Sequence, residues 1–197
     1  MINTIKSILN FDNKNKDLNE MIEMMKKDEV TKIHSINTAV ISYEFGLELN
    51  FSKKNLSDLT KTSFLHDFGK LIIFNQIKNK EDELNYREWN EIIKHPLIGS
   101  RMIEKYDFSR KIIEGIKHHH ECYDGSGYPD GLLGSNIPLY SRIISISDAY
   151  EVMKSGRIYK EKMELDKIIR EFELQKGKQF DPDLTESFLN IIIDLTI

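Results

Sequence analysis

The chain has 197 residues, of which 40% are hydrophobic and 30% charged, with a formal net charge of −4. That is an ordinary soluble globular composition, long enough for one domain with a real core. The mild acidity excludes a global electrostatic grip on a nucleic-acid polymer, so any phosphate binding must be local. A single cysteine, Cys122, excludes an intrachain disulfide framework. It is either a softer metal donor beside the histidine triplet or a bystander. No apolar run reaches the roughly 18 residues a membrane span needs, and no signal-peptide core follows a basic start. The expected location is cytoplasmic.

Residues 1–29 differ from the rest. Leu18, Met21, Ile22 and Met25 recur at helical spacing, and four of the seven methionines fall within the first 25 residues. This reads as an N-terminal helical extension: a lid, a partner surface, or a helix packed on the main domain. The next helix is predicted over 30–47, with Val30, Ile33, Ile36, Val40 and Tyr43 as its apolar stripe. A third covers about 55–66 and ends at His66-Asp67. Residues 83–94 read as a helix around Leu84, Trp89, Ile92 and Ile93; Pro96 breaks it, and another runs from Leu97 through Ile103. Ile112, Ile113 and Ile116 mark a helix ending in His118-His119-His120. Residues 124–134 hold four of the ten glycines and Pro129, so they form a loop with a tightly specified backbone. Helix resumes over 139–153. The tail carries two more helices, separated by Gly177 and Phe180-Asp181-Pro182. No period-2 strand set appears, so the predicted class is all-α.

All six histidines stand where a metal centre could use them: His34, His66, His95, His118, His119 and His120. His119 and His120 follow Ile116 by three and four residues, close to that helix's apolar stripe. Asp148 lies midway between Ile144 and Val152, which puts a carboxylate on a core-facing stripe. An unpaired charge there is costly, and bound cations would offset it. The adjacency of His66 and Asp67 lets one side chain bind one ion while the other bridges two. A pair of ions roughly 3.5–4 Å apart suits phosphoester hydrolysis.

At these residues the chain resembles a known family. His66-Asp67-Phe68-Gly69-Lys70 is similar to the HD motif of HD-domain phosphohydrolases. His119-His120-Glu121 with Asp124-Gly125-Ser126-Gly127-Tyr128-Pro129 resembles the signature of the HD-GYP subgroup. His95-Pro96 with Gly99, Asp148-Ala149-Tyr150 with Arg157 and Tyr159, and the Gly177 and Phe180-Asp181-Pro182 segment resemble its remaining elements. The resemblance covers roughly 30–190. It implies an HD-type helical bundle around a multinuclear metal site, with an extension over 1–29 and an HD-GYP domain over 30–197.

The implied activity is that of a metal-dependent phosphodiesterase, hydrolysing cyclic di-GMP to pGpG, with either pGpG or, after a second cut, GMP as the end product. By position the metal ligands are His34, His66, Asp67, His95, His119, His120 and Asp148, with Asp67 bridging. Two divalent ions are expected, iron or manganese. A third is not, because Val30 stands where some members place an extra glutamate. His118 has no ligand role in the pattern. Lys70 is expected to offset charge on the reacting phosphate and supply or position a proton. Arg157 and Lys160 match positions that grip substrate phosphates, although Arg157 also reads as a surface cation. Gly127, Tyr128 and Pro129 form the GYP loop, either a docking surface for partner proteins or a turn that orients His119 and His120. Glu151 replaces a frequent aspartate. The expected partners are cyclic di-GMP and proteins at the GYP loop; a homodimer is compatible with the sequence, and neither a nucleic-acid polymer nor a membrane is expected. Two rivals remain: hydrolysis of another cyclic dinucleotide such as cyclic GMP-AMP, or a catalytically weak module that binds cyclic dinucleotides or docks partners.

Overall fold

Helix α1, Lys16–Met25, buries Leu18, Met21 and Met25, three or four residues apart, on a single face. The computed structural model describes residues 16–26, 28–73, 77, 80, 85–156 and 162–194. Among them are eight further α-helices: α2 Glu29–Glu48, α3 Lys53–Leu65, α4 Tyr86–Ile92, α5 His95–Ile103, α6 Arg110–Lys117, α7 Leu139–Ser155, α8 Leu165–Gln175 and α9 Pro182–Asp194. No strand occurs among the described residues, and β pairing is confined to isolated bridges such as Asp124 with Leu133. The all-α expectation holds. None of the described helices is long and apolar enough to cross a membrane.

Local signals set the helix ends. Asp28 caps α2 by accepting from the Thr31 amide and hydroxyl at 3.2 and 2.8 Å. Asn85 and Glu88 form a capping box on α4. Pro96 occupies the first turn of α5, so that helix starts at His95 rather than Leu97. Asp181 caps α9 through the amides of Asp183 and Leu184.

Three expectations need correction. The stripe of α2 faces the wrong way: Val30 and Ile33 are 64% and 50% exposed. The helix instead buries Thr31, His34, Ser35, Thr38, Ala39, Ser42, Phe45 and Gly46. Small side chains let α2 and α3 approach closely; a Cβ on Gly46 would lie 2.8 Å from Leu56 Cδ2. Helix α4 is shorter than predicted and buries no residue, with Trp89 49% exposed; Leu84 lies outside the described residues. Helix α6 ends at Lys117, so the histidine triplet sits in a turn.

Two apolar clusters flank the polar centre. One joins Phe45, Leu59, Ile143, Ile144, Ile146, Phe172 and Phe188 across α2, α3, α7, α8 and α9. The other joins Leu18, Met21, Met25, Ala39, Phe64, Leu65, Phe68, Ile103, Ile112 and Ile116. Leu65 and Phe68 bracket His66-Asp67 and anchor that pair to the second cluster. Ile144 and Ile146 precede Asp148 and anchor it to the first.

Candidate metal centre

His66 caps the C-terminus of α3, and Asp67 follows at the start of a 3-10 turn over Phe68–Leu71. That turn lies directly on the start of α5. A Cβ on Gly69 would stand 2.0 Å from the His95 carbonyl oxygen and 2.7 Å from the Gly99 amide nitrogen. Only glycine permits this approach. It brings Asp67 Oδ1 to 3.1 Å from His95 Nε2, while Asp67 Oδ2 accepts from Lys70 Nζ at 2.6 Å.

The imidazoles are fixed from behind. Nδ1 of His66, His95 and His119 each lies 2.7 Å from a backbone carbonyl, those of Ser63, Ile92 and Ile116. A carbonyl can only accept, so each Nδ1 carries the proton and each Nε2 of a neutral ring presents a lone pair inward. His34 is held differently: its Nδ1 sits 2.6 Å from Glu151 Oε2, and its Nε2 lies 3.0 Å from Asp148 Oδ1.

Electrostatics separate His34 from the others. Burial, followed by the neighbouring imidazoles, pulls His119 well below the ordinary value. Burial, then His95, pulls His120 down to about 3. Burial and Lys70 lower His95. Burial also opposes charge on His34, but Asp148 and Glu151 outweigh it and raise that group to about 9. Burial likewise opposes ionisation of Asp67, yet Lys70 and His66 hold its carboxyl well below the usual range. Asp148 is lowered in the same way, against burial, by His34.

These residues form two donor groups with a shared member. Asp67, His95, His119 and His120 offer ligand atoms within 4.8 Å of one another, and so do His34, His66 and Asp67. Asp148 joins the second group through His34. The donor set fits metal ions on its own chemistry. His66 Nε2 is buried with no hydrogen-bond partner. His95 Nε2 and His119 Nε2 face each other at 3.2 Å. With both rings neutral and both Nδ1 protonated, two lone pairs oppose there, an arrangement a cation resolves. Asp67 Oδ1 and Asp148 Oδ1 have carboxylate–imidazole distances of ion-pair length but no hydrogen-bond geometry.

The glycine loop buttresses this centre. A Cβ on Gly127 would lie 2.2 Å from the Cys122 amide nitrogen and 2.5 Å from the His120 carbonyl oxygen. Close packing there stacks Tyr128 on His120 at a 5.0 Å centroid separation. Glu121 is buried and accepts from the Asp130 and Leu132 amides at 2.8 and 3.0 Å, which ties the loop back to its own start. His118 points away from the centre, its Nε2 at 3.0 Å from Asp130 Oδ2. Cys122 is half-buried beside Ser126 and belongs to neither donor group. The Tyr123 and Asp124 amides donate to the Gln179 and Lys178 carbonyls, so the turn after α8 braces the loop from outside.

Thus His34, His66, Asp67, Lys70, His95, His119, His120 and Asp148 converge. Arg157 and Lys160 lie outside the described residues. Sequence reasoning missed Glu151, noted only as a substitution. Its spacing of three from Asp148, which puts both on one face of α7, was the available signal.

The HD domain family model matches residues 16–184. The cyclic di-GMP phosphodiesterase response regulator RpfG of Xanthomonas campestris is 35% identical over 145 residues, covering 72% of this chain and 38% of that protein. The 3′3′-cGAMP-specific phosphodiesterase 2 of Vibrio cholerae is 36% identical over 138 residues, covering 68% of this chain and 26% of its own length. The chain therefore spans well under half of either relative. In fold it is similar to Bd1817, an HDGYP protein from Bdellovibrio bacteriovorus, with a TM-score of 0.68 and 18% identity over 93% of this chain and 60% of that one. With the HD domain model running from the start of α1 to the first residues of α9 and the His66-Asp67 pair at the heart of the donor cluster, the chain belongs to the HD domain family, in its HD-GYP subgroup.

Proposed function

We propose that this chain is a metal-dependent phosphodiesterase that hydrolyses cyclic di-GMP to pGpG, with GMP as a further product. The observation that carries the reading is the shared carboxylate: Asp67 stands in both donor groups. His34, His66, Asp148 and Asp67 would hold one ion, and His95, His119, His120 and Asp67 the other. Iron or manganese suits this mixture of imidazole and carboxylate. Two ions account for the donors, and Val30, exposed at the start of α2, adds none. RpfG bears the name of a cyclic di-GMP phosphodiesterase, which supports the substrate class.

When bound, such an ion pair activates a water and neutralises charge building on the phosphoryl oxygens. The chain's own groups do the rest. Backbone carbonyls behind His66, His95 and His119 keep their rings aimed inward. Lys70 pairs with Asp67 and, at 17% side-chain exposure, reaches toward solvent. From there its ammonium can meet the phosphate and give a proton to the leaving ribose 3′-oxygen. One P–O bond to that oxygen breaks, one to water oxygen forms, and the proton the water loses restores the one Lys70 gave, so no net proton is gained or lost by the protein. Arg157 and Lys160 are proposed to grip the substrate phosphates, and the Gly127-Tyr128-Pro129 loop to offer a docking face in the cytoplasm.

A second reading is hydrolysis of 3′3′-cGAMP, favoured by the 36% identity to a phosphodiesterase of that name. Chromatography of products from manganese- or iron-loaded protein tests both. Conversion of cyclic di-GMP to pGpG is expected. Faster turnover of 3′3′-cGAMP favours the second reading. Binding without turnover at full metal occupancy refutes both, in favour of a sensing module.

A further inference from the structure

The four inward-aimed histidines with a defined partner behind them are not alike. His66, His95 and His119 each give their Nδ1 proton to a neutral backbone carbonyl at 2.7 Å. His34 alone among them gives it to a carboxylate, Glu151 Oε2, at 2.6 Å. Glu151 is itself clamped. Its Oε1 accepts from Asn37 Nδ2 at 3.0 Å and from Ser155 Oγ at 2.6 Å. Its side chain is only 7% exposed. Helix α7 thus presents the donor Asp148 and, one turn later, the clamp Glu151. Helix α2 presents His34 and, one turn later, Asn37. The two helices lock one imidazole between them from both sides.

A carboxylate behind an imidazole fixes its ring and makes its far nitrogen a stronger donor than a carbonyl does. The two donor groups are therefore chemically unequal. The His34 group has Asp67, Asp148 and the added charge of Glu151 nearby. The His95 group has three carbonyl-backed or ring-stacked imidazoles and the shared Asp67. Every hydrogen-bond partner found for the Glu151 carboxylate belongs to α2 or α7, and none is a residue of the His95 group.

We infer that Glu151 is a positioning residue for one cation subsite only, setting the affinity of the His34 side while leaving the His95 side unaffected. This rests on the two-ion reading above. It makes loading ordered: the subsite with Asp67, Asp148 and Glu151 around it fills first, and the side whose only carboxylate is the shared Asp67 follows.

The test is manganese titration of metal-stripped protein, with free Mn(II) followed by electron paramagnetic resonance. Wild type should take up two ions. Glu151→Gln keeps an acceptor for the His34 ring but removes the charge, so a purely structural hydrogen bond survives it. One of the two sites should weaken by about 10–100-fold and the other stay unchanged. In a His34→Ala background, which removes the ring that Glu151 holds, Glu151→Gln should have no further effect on either site. Should Glu151→Gln not fold, Asn37→Ala, which loosens the clamp and keeps its charge, should weaken the same single site to a smaller extent. Equal weakening of both sites, no change in either, or an added loss in the His34→Ala background overturns the inference. Wild type that takes up no manganese overturns the two-ion reading itself, and the inference with it.

Discussion

Replacing Gly69 by alanine should open the metal centre from the side of its shared carboxylate. The added Cβ would lie 2.0 Å from the His95 carbonyl oxygen, with the Gly99 amide nitrogen at 2.7 Å. Carbon–oxygen contacts settle at about 3.3 Å or more, so the 3-10 turn and α5 must part by roughly 1.3 Å. Both obstacles are backbone, and no side chain can swing away. Asp67 and His95 ride on the two parting segments, and their 3.1 Å contact should lengthen by a similar amount. A binding constellation must be held to within about 0.5 Å of its working geometry. The strain should cost about 1–3 kcal/mol of stability, and manganese affinity should fall by at least about 10-fold. Circular dichroism melts and metal analysis after reconstitution measure the two effects separately. Ile168→Ala, in the other apolar cluster, is the control: it should lower the melting temperature, at about 2–5 kcal/mol, with metal content intact. Gly69→Ala protein that binds the same number of ions at wild-type affinity would refute the close-approach argument.

Asp67→Asn should lose metal and phosphodiesterase activity together, because a charged bridging donor becomes a weak neutral one; retained full activity would sink the shared-carboxylate reading. Metal-free protein should be most stable near pH 6.5. Below that, the unfolded chain binds protons that His95, His119 and His120 refuse, so stability falls on acidification. Above it, the folded chain keeps a proton on His34 up to about 9 that the unfolded chain releases, so stability falls as pH rises. Melting temperatures across pH 5–9 check this, and a steady climb from 6.5 to 9 would contradict it. Met21→Ala should cost about 2–5 kcal/mol, since its side chain is fully buried in the second cluster. A chemical-denaturation midpoint close to wild type would mean that α1 is a detachable appendage.

Helix positions were largely legible in the sequence because capping residues, prolines and the glycine loop mark their ends. The buried face of α2 was not. Periodicity favours large apolar residues such as Val30 and Ile33, whereas a helix that must approach its neighbour closely and deliver His34 buries Ser35, Thr38 and Ser42. The histidines and aspartates could be picked out because buried charge is rare without a purpose. Their grouping around Asp67 came from the family resemblance alone, since no spacing reveals that His95 meets it across Gly69. Glu151 escaped for a related reason: a carboxylate that holds another residue's ring looks, in sequence, like any other.

The hydrogen bonds from Tyr123 and Asp124 to the turn after α8 carry a consequence for order of assembly. Donors of the centre are spread from position 34 to position 148, and the loop behind His120 finishes its backbone pairing only with residues 178 and 179. A nascent chain emerging from its N-terminus therefore holds most of the ligands long before it holds the brace for their last support. The metal-competent state is reached late, by long-range closure rather than by local helix formation. A cation that recognises only the finished arrangement then acts as a fastener across more than a hundred residues, selecting fully folded chains from those still incomplete.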